Sequence, residues 1–200
     1  MEETFTFDRN EYRSDVNFSD YYWFNNAFSP EELITIESMT SNLDWETAAT
    51  GQDESASVTD YRKSKIKWCP RNNEWGWVYE KLHDMLVEAN DVMWKFDLTH
   101  MRESIQYTEY YGGGGHYDWH MDCGIGIQSQ RKISVTVQLS DPSEYEGGDL
   151  QFNLGGGHKQ APRLQGAAVI FPSFYLHRVT PVKSGIRKSF VLWVGGEPYK

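Results

Sequence analysis

Beyond Leu98 the chain is written almost entirely in short apolar or alternating runs. SIQYTEY, KISVTVQLS, GDLQF, GAAVIF and KSFVLWV are each closed off by Gly, Pro, Asp or Ser. Segments of about four to eight residues rich in Val, Ile, Phe and Tyr are too short for helices and alternate as strands do. No internal repeat is evident among them. Strands of this kind must cover an apolar face, and they do so by packing as a sandwich or barrel. With helical periodicity confined to the front of the chain, the expected class is mainly β with flanking helices.

The front opens on a clear helix start, Phe28-Ser29-Pro30-Glu31-Glu32-Leu33. Ser29 suits the N-cap, Pro30 the first helical position and Glu32 a capping box, with Phe28 and Leu33 placed as a hydrophobic staple. Leu33, Ile34, Ile36 and Met39 supply the apolar side. Residues 47–60 (TAATGQDESASVTD) read as a loop, and Arg62 to Trp68 as a strand with Lys63, Lys65 and Lys67 on one parity. A solvated strand face is the expected place for those lysines; a guide for an anionic or peptide substrate is the sharper alternative. Trp75, Val78, Tyr79, Leu82, Leu86 and Ala89 recur at helical spacing, so a second helix is expected from Glu74 to Asn90, with His83 at its flank. Residues 1–20 form a polar lead-in segment, and 21–200 a single domain whose core lies at 98–196. Gly112–Gly115 and Gly155–Gly157 read as flexible loops without phosphate-cradle spacing. Gly147-Gly148 suit a bend or close backbone approach at a strand start.

Nineteen Lys and Arg against 29 Asp and Glu give a net charge of -10. That balance opposes a nucleic-acid backbone as partner, since phosphate binding depends on excess positive charge. The start, MEETFTFDRNEYR, shows neither a basic nor an apolar signal region, and no run reaches membrane-span length. The expectation is a cytoplasmic protein with no membrane partner. Cys69 and Cys123 lack C-x-x-C spacing and read as reduced thiols.

The chemistry-bearing stretch is YYGGGGHYDWHMDCG, residues 110–124, which holds H-x-D twice: His116 with Asp118, and His120 with Asp122. On a straight strand all four share one parity, yet the outer two are roughly 20 Å apart, so one pair must be chosen. Of the downstream histidines, His177 follows the apolar GAAVIF strand that can fix it, whereas His158 sits in GGGHKQ. Two histidines and one carboxylate leave half of a metal's coordination sphere open, which suits ferrous iron in oxygen activation; zinc uses the same donors. Arg187, ten residues after His177, tips the balance. A planar guanidinium clamps a carboxylate through two parallel hydrogen bonds. Opposite such a metal it implies a dicarboxylate whose 2-oxo acid end chelates the iron, namely 2-oxoglutarate.

From about Trp68 to Gly196 the sequence resembles the Fe(II)/2-oxoglutarate-dependent oxygenases, in particular the prolyl 4-hydroxylase branch and its PKHD-type bacterial relatives. QYTEY, GHYDWHMD, RKISVTVQLSD, YEGGDLQF, FPSFYLHRVTPVKSGIR and FVLW carry the resemblance in order. It implies a double-stranded β-helix, a cupin-like jelly roll. Through the approach G-x-Y-x-x-H-x-D it selects the second pair, making His120, Asp122 and His177 the iron ligands. Arg187 takes the distal carboxylate of 2-oxoglutarate, Tyr110 hydrogen-bonds that co-substrate, and Gln138 and Tyr107 are further contacts. Trp193 packs nearby. Two features depart from the family's pattern: the four glycines make a looser approach that suits a lid, and His116 and Asp118 are left without an assigned role, at most lining the pocket mouth. The implied reaction takes Fe(II), 2-oxoglutarate and O2, with ascorbate as a further ligand. It hydroxylates a prolyl residue of a peptide or protein, or alternatively a free amino acid or other small molecule. A non-catalytic jelly-roll module with a residual metal site, and a cupin-like hydrolase or isomerase, are the competing classes.

Overall fold

The computed structural model describes residues 21–47 and 60–198. The lead-in segment and residues 48–59 of the expected loop lie outside the described residues.

Two helices flank the strands. Helix α1 (Pro30–Ser41) begins as its sequence dictates: Ser29 Oγ accepts the Glu32 amide, and Glu32 returns its carboxylate to the Ser29 amide at 2.7 Å. Ile36 and Met39 are buried, but Ile34 is 70% exposed and takes no part in the apolar face. Helix α2 runs Gly76–Met93, three residues beyond the expected end. Met93 packs inward, and Asn90 closes the helix by bonding both backbone groups of Phe96. Lys81 of α2 pairs with Glu32 of α1.

The strands pair antiparallel throughout and fall into two sheets. The larger runs β1 (Tyr22–Phe24), β12 (Ala168–Pro172), β8 (Arg131–Gln138), β13 (His177–Gly196), β6 (Ile105–Tyr111), β4 (Lys65–Cys69) and β2 (Glu46–Thr47), with β5 (Leu98–His100) on the end of β13. The smaller holds β3 (Arg62–Lys63), β7 (Gly115–His120), β9 (Tyr145–Gly147), β10 (Leu150–Asn153) and β11 (His158–Gln160). Both share β13. Its first half pairs β7, β9 and β10, and its second half, from Ile186, pairs β6 and β8. One twenty-residue strand thus passes from sheet to sheet, and the architecture is the expected jelly roll, mainly β with flanking helices. The sequence pattern reveals only the second half, KSFVLWV. In the first half Pro181 and Gly185 interrupt the run, and Gly185 (φ +73) sits where a Cβ would meet Glu144 O at 2.0 Å.

Strand alternation divides the larger sheet sharply. Ile133, Val135 and Val137 of β8, Ile105 and Tyr107 of β6, and Phe190 and Leu192 of β13 join α1 and α2 in the main core. Their neighbours Ser134, Thr136, Gln138, Gln106, Arg187 and Ser189 are also buried, but they point between the two sheets. This inner face is polar. A buried row of polar groups must find partners inside the protein or bind a ligand.

Two expectations need correction here. Lys63 and Lys65 are exposed, but Lys67 is buried, with Nζ donating to Thr40 O (2.7 Å) and lying 4.3 Å from the Trp45 ring centroid. It neutralises carbonyls at the α1 C-terminus, where a cation is favoured. The four glycines do not form a loose lid. Gly112, Gly113 and Gly114 donate their amides to Gly185, Lys183 and Val182, pinning the β6–β7 turn to β13, and Gly115 begins β7. A Cβ on Gly112 would stand 2.9 Å from Ser184 Cα. Among the described residues, no helix is long and apolar enough to cross a membrane.

Candidate metal centre and anion pocket

A cavity of about 560 Å³ opens between the sheets, lined among others by His120, Asp122, His177, Tyr110, Arg187 and Trp193. Its composition follows from strand geometry. His120 ends β7 and His177 begins β13, and the two are direct register partners. The next pair is Tyr117 with Val179, so two residues of β7 oppose one of β13. This bulge breaks the parity expected of a straight strand. Tyr117, not Asp118, turns inward with His120, and the rings stack at 3.5 Å between centroids. Asp118 is exposed. His116 turns away, its ring nitrogens 2.8 Å from Gly114 O and 2.7 Å from Asp60 O. The two H-x-D pairs therefore do not face one side, and only the second meets His177.

His120, Asp122 and His177 are all buried, and one ligand atom from each lies within 4.8 Å of the others. Asp122 Oδ1 is 3.7 Å from His120 Nε2, and Oδ2 is 3.5 Å from His177 Nε2. Each imidazole is oriented from behind: His120 Nδ1 donates to Asp118 O (2.7 Å) and His177 Nδ1 to Tyr175 O (2.8 Å). With Nδ1 protonated, the Nε2 lone pairs face the common centre, which is how metal-binding histidines are held. Burial, followed by the neighbouring His177, pushes His120 down to about 3, so its ring is neutral and available as a donor. Burial pushes the Asp122 carboxyl upward, but His177, His120 and the Ser134 hydroxyl together outweigh it and hold Asp122 below the usual range. The neutral His120 imidazole and the Asp122 carboxylate, with His177 turned to the same centre, supply the donor atoms a divalent cation needs.

The second feature of the cavity is Arg187, 1% exposed. Nη2 donates to Gln138 Oε1 (2.9 Å), Nη1 to Ser189 Oγ (3.2 Å), and Nε has no acceptor. Tyr110 and Tyr145 also lie beside it, and the charge it feels from Arg163 is that of another cation, so among the described residues no carboxylate pairs with it. Burial lowers its affinity for a proton. Gly148 (φ +65) makes the room, since a Cβ there would come within 2.9 Å of Arg187 Cδ. Of the glycine pair read as a close approach, Gly148 serves this side chain, while at Gly147 a Cβ would meet Pro181 O at 2.1 Å.

The remaining candidates separate by strand face. Tyr110 lines the cavity. Tyr107, three residues back and of opposite parity, is not brought there: it packs in the helix-covered core and donates its hydroxyl to Glu109 at 2.5 Å. Gln138 is buried and engaged with Arg187. Trp193 lines the cavity with Arg131 Cζ 3.9 Å above its ring centroid. His158 is exposed beside Trp119. Sequence reasoning missed Glu103 and Arg131 on the cavity wall, and Ser134 and Ser173 behind Asp122. Of these only Ser134 had a signal, as one of the polar members of the alternating run KISVTVQ.

Residues 105–195 match the family described as the 2OG-Fe(II) oxygenase superfamily, so this stretch of the chain carries that superfamily's sequence. A PKHD-type hydroxylase of Synechococcus sp. (strain CC9902) is 41% identical over 81 residues, covering 40% of this chain and 36% of the relative. One of Teredinibacter turnerae is 37% identical over 89 residues, covering 42% and 39%. The chain thus spans less than two-fifths of the length of these relatives. The fold is similar to that of a Trichoplax adhaerens prolyl hydroxylase solved with a hypoxia inducible factor peptide fragment. There the TM-score is 0.71 and identity 16%, covering 90% of this chain and 85% of that one. A Pseudomonas putida prolyl-4-hydroxylase gives 0.67 at 17% identity, covering 92% and 96%.

Proposed function

We propose that this chain is an Fe(II)- and 2-oxoglutarate-dependent dioxygenase that hydroxylates an unactivated C–H bond, with a prolyl residue of a peptide or protein as its target. The observation that carries the reading is Arg187. A guanidinium buried without a carboxylate partner among the described residues, in the same cavity as a two-histidine, one-carboxylate cluster, calls for an anion that arrives with the ligand. A metal alone would not explain it. A 2-oxo dicarboxylate satisfies both features.

In this reading His120, Asp122 and His177 hold Fe(II), and their second nitrogens and oxygens keep the donor atoms aimed. Arg187 receives the distal carboxylate, oriented by Gln138 and Ser189, while the Tyr110 hydroxyl lies on the same wall to donate to the co-substrate. Iron and 2-oxoglutarate bound there supply the O2-consuming chemistry that yields succinate, carbon dioxide and a hydroxylated carbon. The protein's part is to orient, to exclude water and to present the target bond. Ascorbate enters as the reductant implied by the prolyl 4-hydroxylase resemblance.

The peptide target rests on the sequence resemblance and on the names of the similar proteins. Of the strip from Arg62 to Lys67, Arg62 lines the cavity, its guanidinium 4.6 Å from the Tyr117 ring centroid, and the three lysines do not. The reading treats residues 21–200 as one catalytic domain and places it in the cytoplasm, in keeping with the free thiols Cys69 and Cys123.

The test is incubation with Fe(II), 2-oxoglutarate and proline-containing peptides, reading succinate and a +16 mass shift. His177→Ala should lose both. Succinate formed without +16 on any peptide, but with +16 on a free amino acid, would replace the peptide target. Metal uptake without any 2-oxoglutarate consumption would favour a non-catalytic module.

A further inference from the structure

Behind the cluster lies a pair of hydroxyls that the chemistry above does not use. Ser134, on the inner face of β8, and Ser173, just past β12, are both fully buried. Ser134 Oγ is 2.6 Å from Asp122 Oδ2, and the two serine oxygens are 2.9 Å apart. The direction of both bonds follows from proton count. An ionised carboxylate only accepts, so the single Ser134 proton goes to Asp122, and the Ser173 proton must go to Ser134. The backbone reinforces this arrangement: Ser173 O accepts the amides of both Asp122 (2.9 Å) and Cys123 (3.1 Å). Arg131 Nη1 holds the Asp122 carbonyl from the other side at 3.0 Å.

We propose that Ser134, backed by Ser173, is the positioning residue that presents the Asp122 carboxylate to the metal, a role that rests on the metal site proposed above. Asp122 lies beyond the end of β7, where no ladder fixes its side chain. Without a donor on Oδ2 the carboxylate is free to rotate about its last bond and must be ordered as the metal binds. A charge-assisted bond at 2.6 Å in a dry site orders it beforehand. The relay from Ser173 polarises the Ser134 hydroxyl and strengthens that bond. Partners of this kind behind a ligand are worth about 10- to 100-fold in metal affinity.

Mn(II) binding to the metal-free protein, measured by calorimetry beside the melting temperature of the same metal-free samples, provides the test. Ser134→Ala should weaken Mn(II) by about 10-fold or more, Ser173→Ala by a smaller factor, and Ser134→Thr, which keeps the hydroxyl, should restore most of the loss. A merely structural serine would lower the melting temperature and leave affinity alone. Ser134→Ala binding Mn(II) within about twofold of wild type overturns the proposal. Should Ser134→Ala not fold, Ser173→Ala decides: a weakened Mn(II) site supports the relay and an unchanged one refutes it. Wild-type protein that takes up Mn(II) no better than His177→Ala refutes the metal site itself, and the positioning role with it.

Discussion

Replacing Arg187 by Met separates what this residue does for the fold from what it does for the ligand. In the ligand-free protein the guanidinium is a liability. Effective burial of a charge costs several kcal/mol, offset by two hydrogen bonds to Gln138 and Ser189 at roughly 1.5–3 kcal/mol each. These terms cancel to within about 1 kcal/mol, which for a chain of this size is about 2–4 °C in Tm. Arg187→Met should therefore melt, ligand-free, close to wild type. With co-substrate the balance changes. Losing one partner of a buried, hydrogen-bonded charge pair costs about 2–5 kcal/mol, or from about 30-fold to several thousand-fold in affinity. Calorimetry of 2-oxoglutarate on the Mn(II)-loaded protein reads this directly. A 2-oxo monocarboxylate of similar length is the control, because it keeps the chelating end and lacks the distal group. Wild type should prefer the dicarboxylate strongly, and Arg187→Met should bind both about equally. The reasoning fails if Arg187→Met retains 2-oxoglutarate within about threefold, or if it loses both acids by the same factor.

Three further outcomes follow from strand parity and burial. Tyr110→Phe should weaken 2-oxoglutarate by about 5- to 10-fold, the worth of one hydrogen bond, whereas Tyr107→Phe should leave binding intact and lower the melting temperature, because its hydroxyl serves the buried Glu109. Gly148→Ala places a methyl 2.9 Å from both Arg187 Cδ and Val182 Cγ2 at φ +65, and should cost about 1–3 kcal/mol in denaturant melts together with a loss of 2-oxoglutarate affinity. Acidification provides the third. His120 is neutral in the fold down to about 3 but takes up a proton near 6.5 when unfolded, so between those values the unfolded state binds more protons. The contribution of His120 to the stability of the metal-free protein is therefore fully present above about pH 6.5 and is lost as pH drops toward 3; His120→Asn should flatten this slope in pH-dependent thermal melts.

The residues that were legible in the sequence share a property: their role depends on local pattern. The Ser29 capping box needs only four consecutive residues, and α2 needs only the spacing of Val78, Leu82, Leu86 and Ala89. The illegible ones depend on distant backbone. Lys67 looks like a member of a solvated row until the end of α1 delivers the Thr40 carbonyl to it. His116 and Asp118 are chemically equal to His120 and Asp122 until the bulge between Tyr117 and His120 turns one pair away. The first half of β13, with its proline and glycine, does not look like a strand, yet it carries His177 against His120 and continues to Arg187.

The inner face of the larger sheet explains why polar alternation was misleading as well as useful. A run such as KISVTVQ ordinarily signals a strand with one wet side, and composition alone cannot tell a wet face from a buried polar one. Here the apolar members lie under the helices and the polar members are equally buried, facing a second sheet. Once the sheets close, the polarity of Ser134 and Gln138 requires partners. Their partners are Asp122 and Arg187, the acidic member of the proposed metal cluster and the cation of the proposed anion pocket. The same strand that closes the core therefore braces both ends of the site. Substituting its even-numbered residues should alter ligand binding before it alters the fold, and substituting its odd-numbered ones should do the reverse.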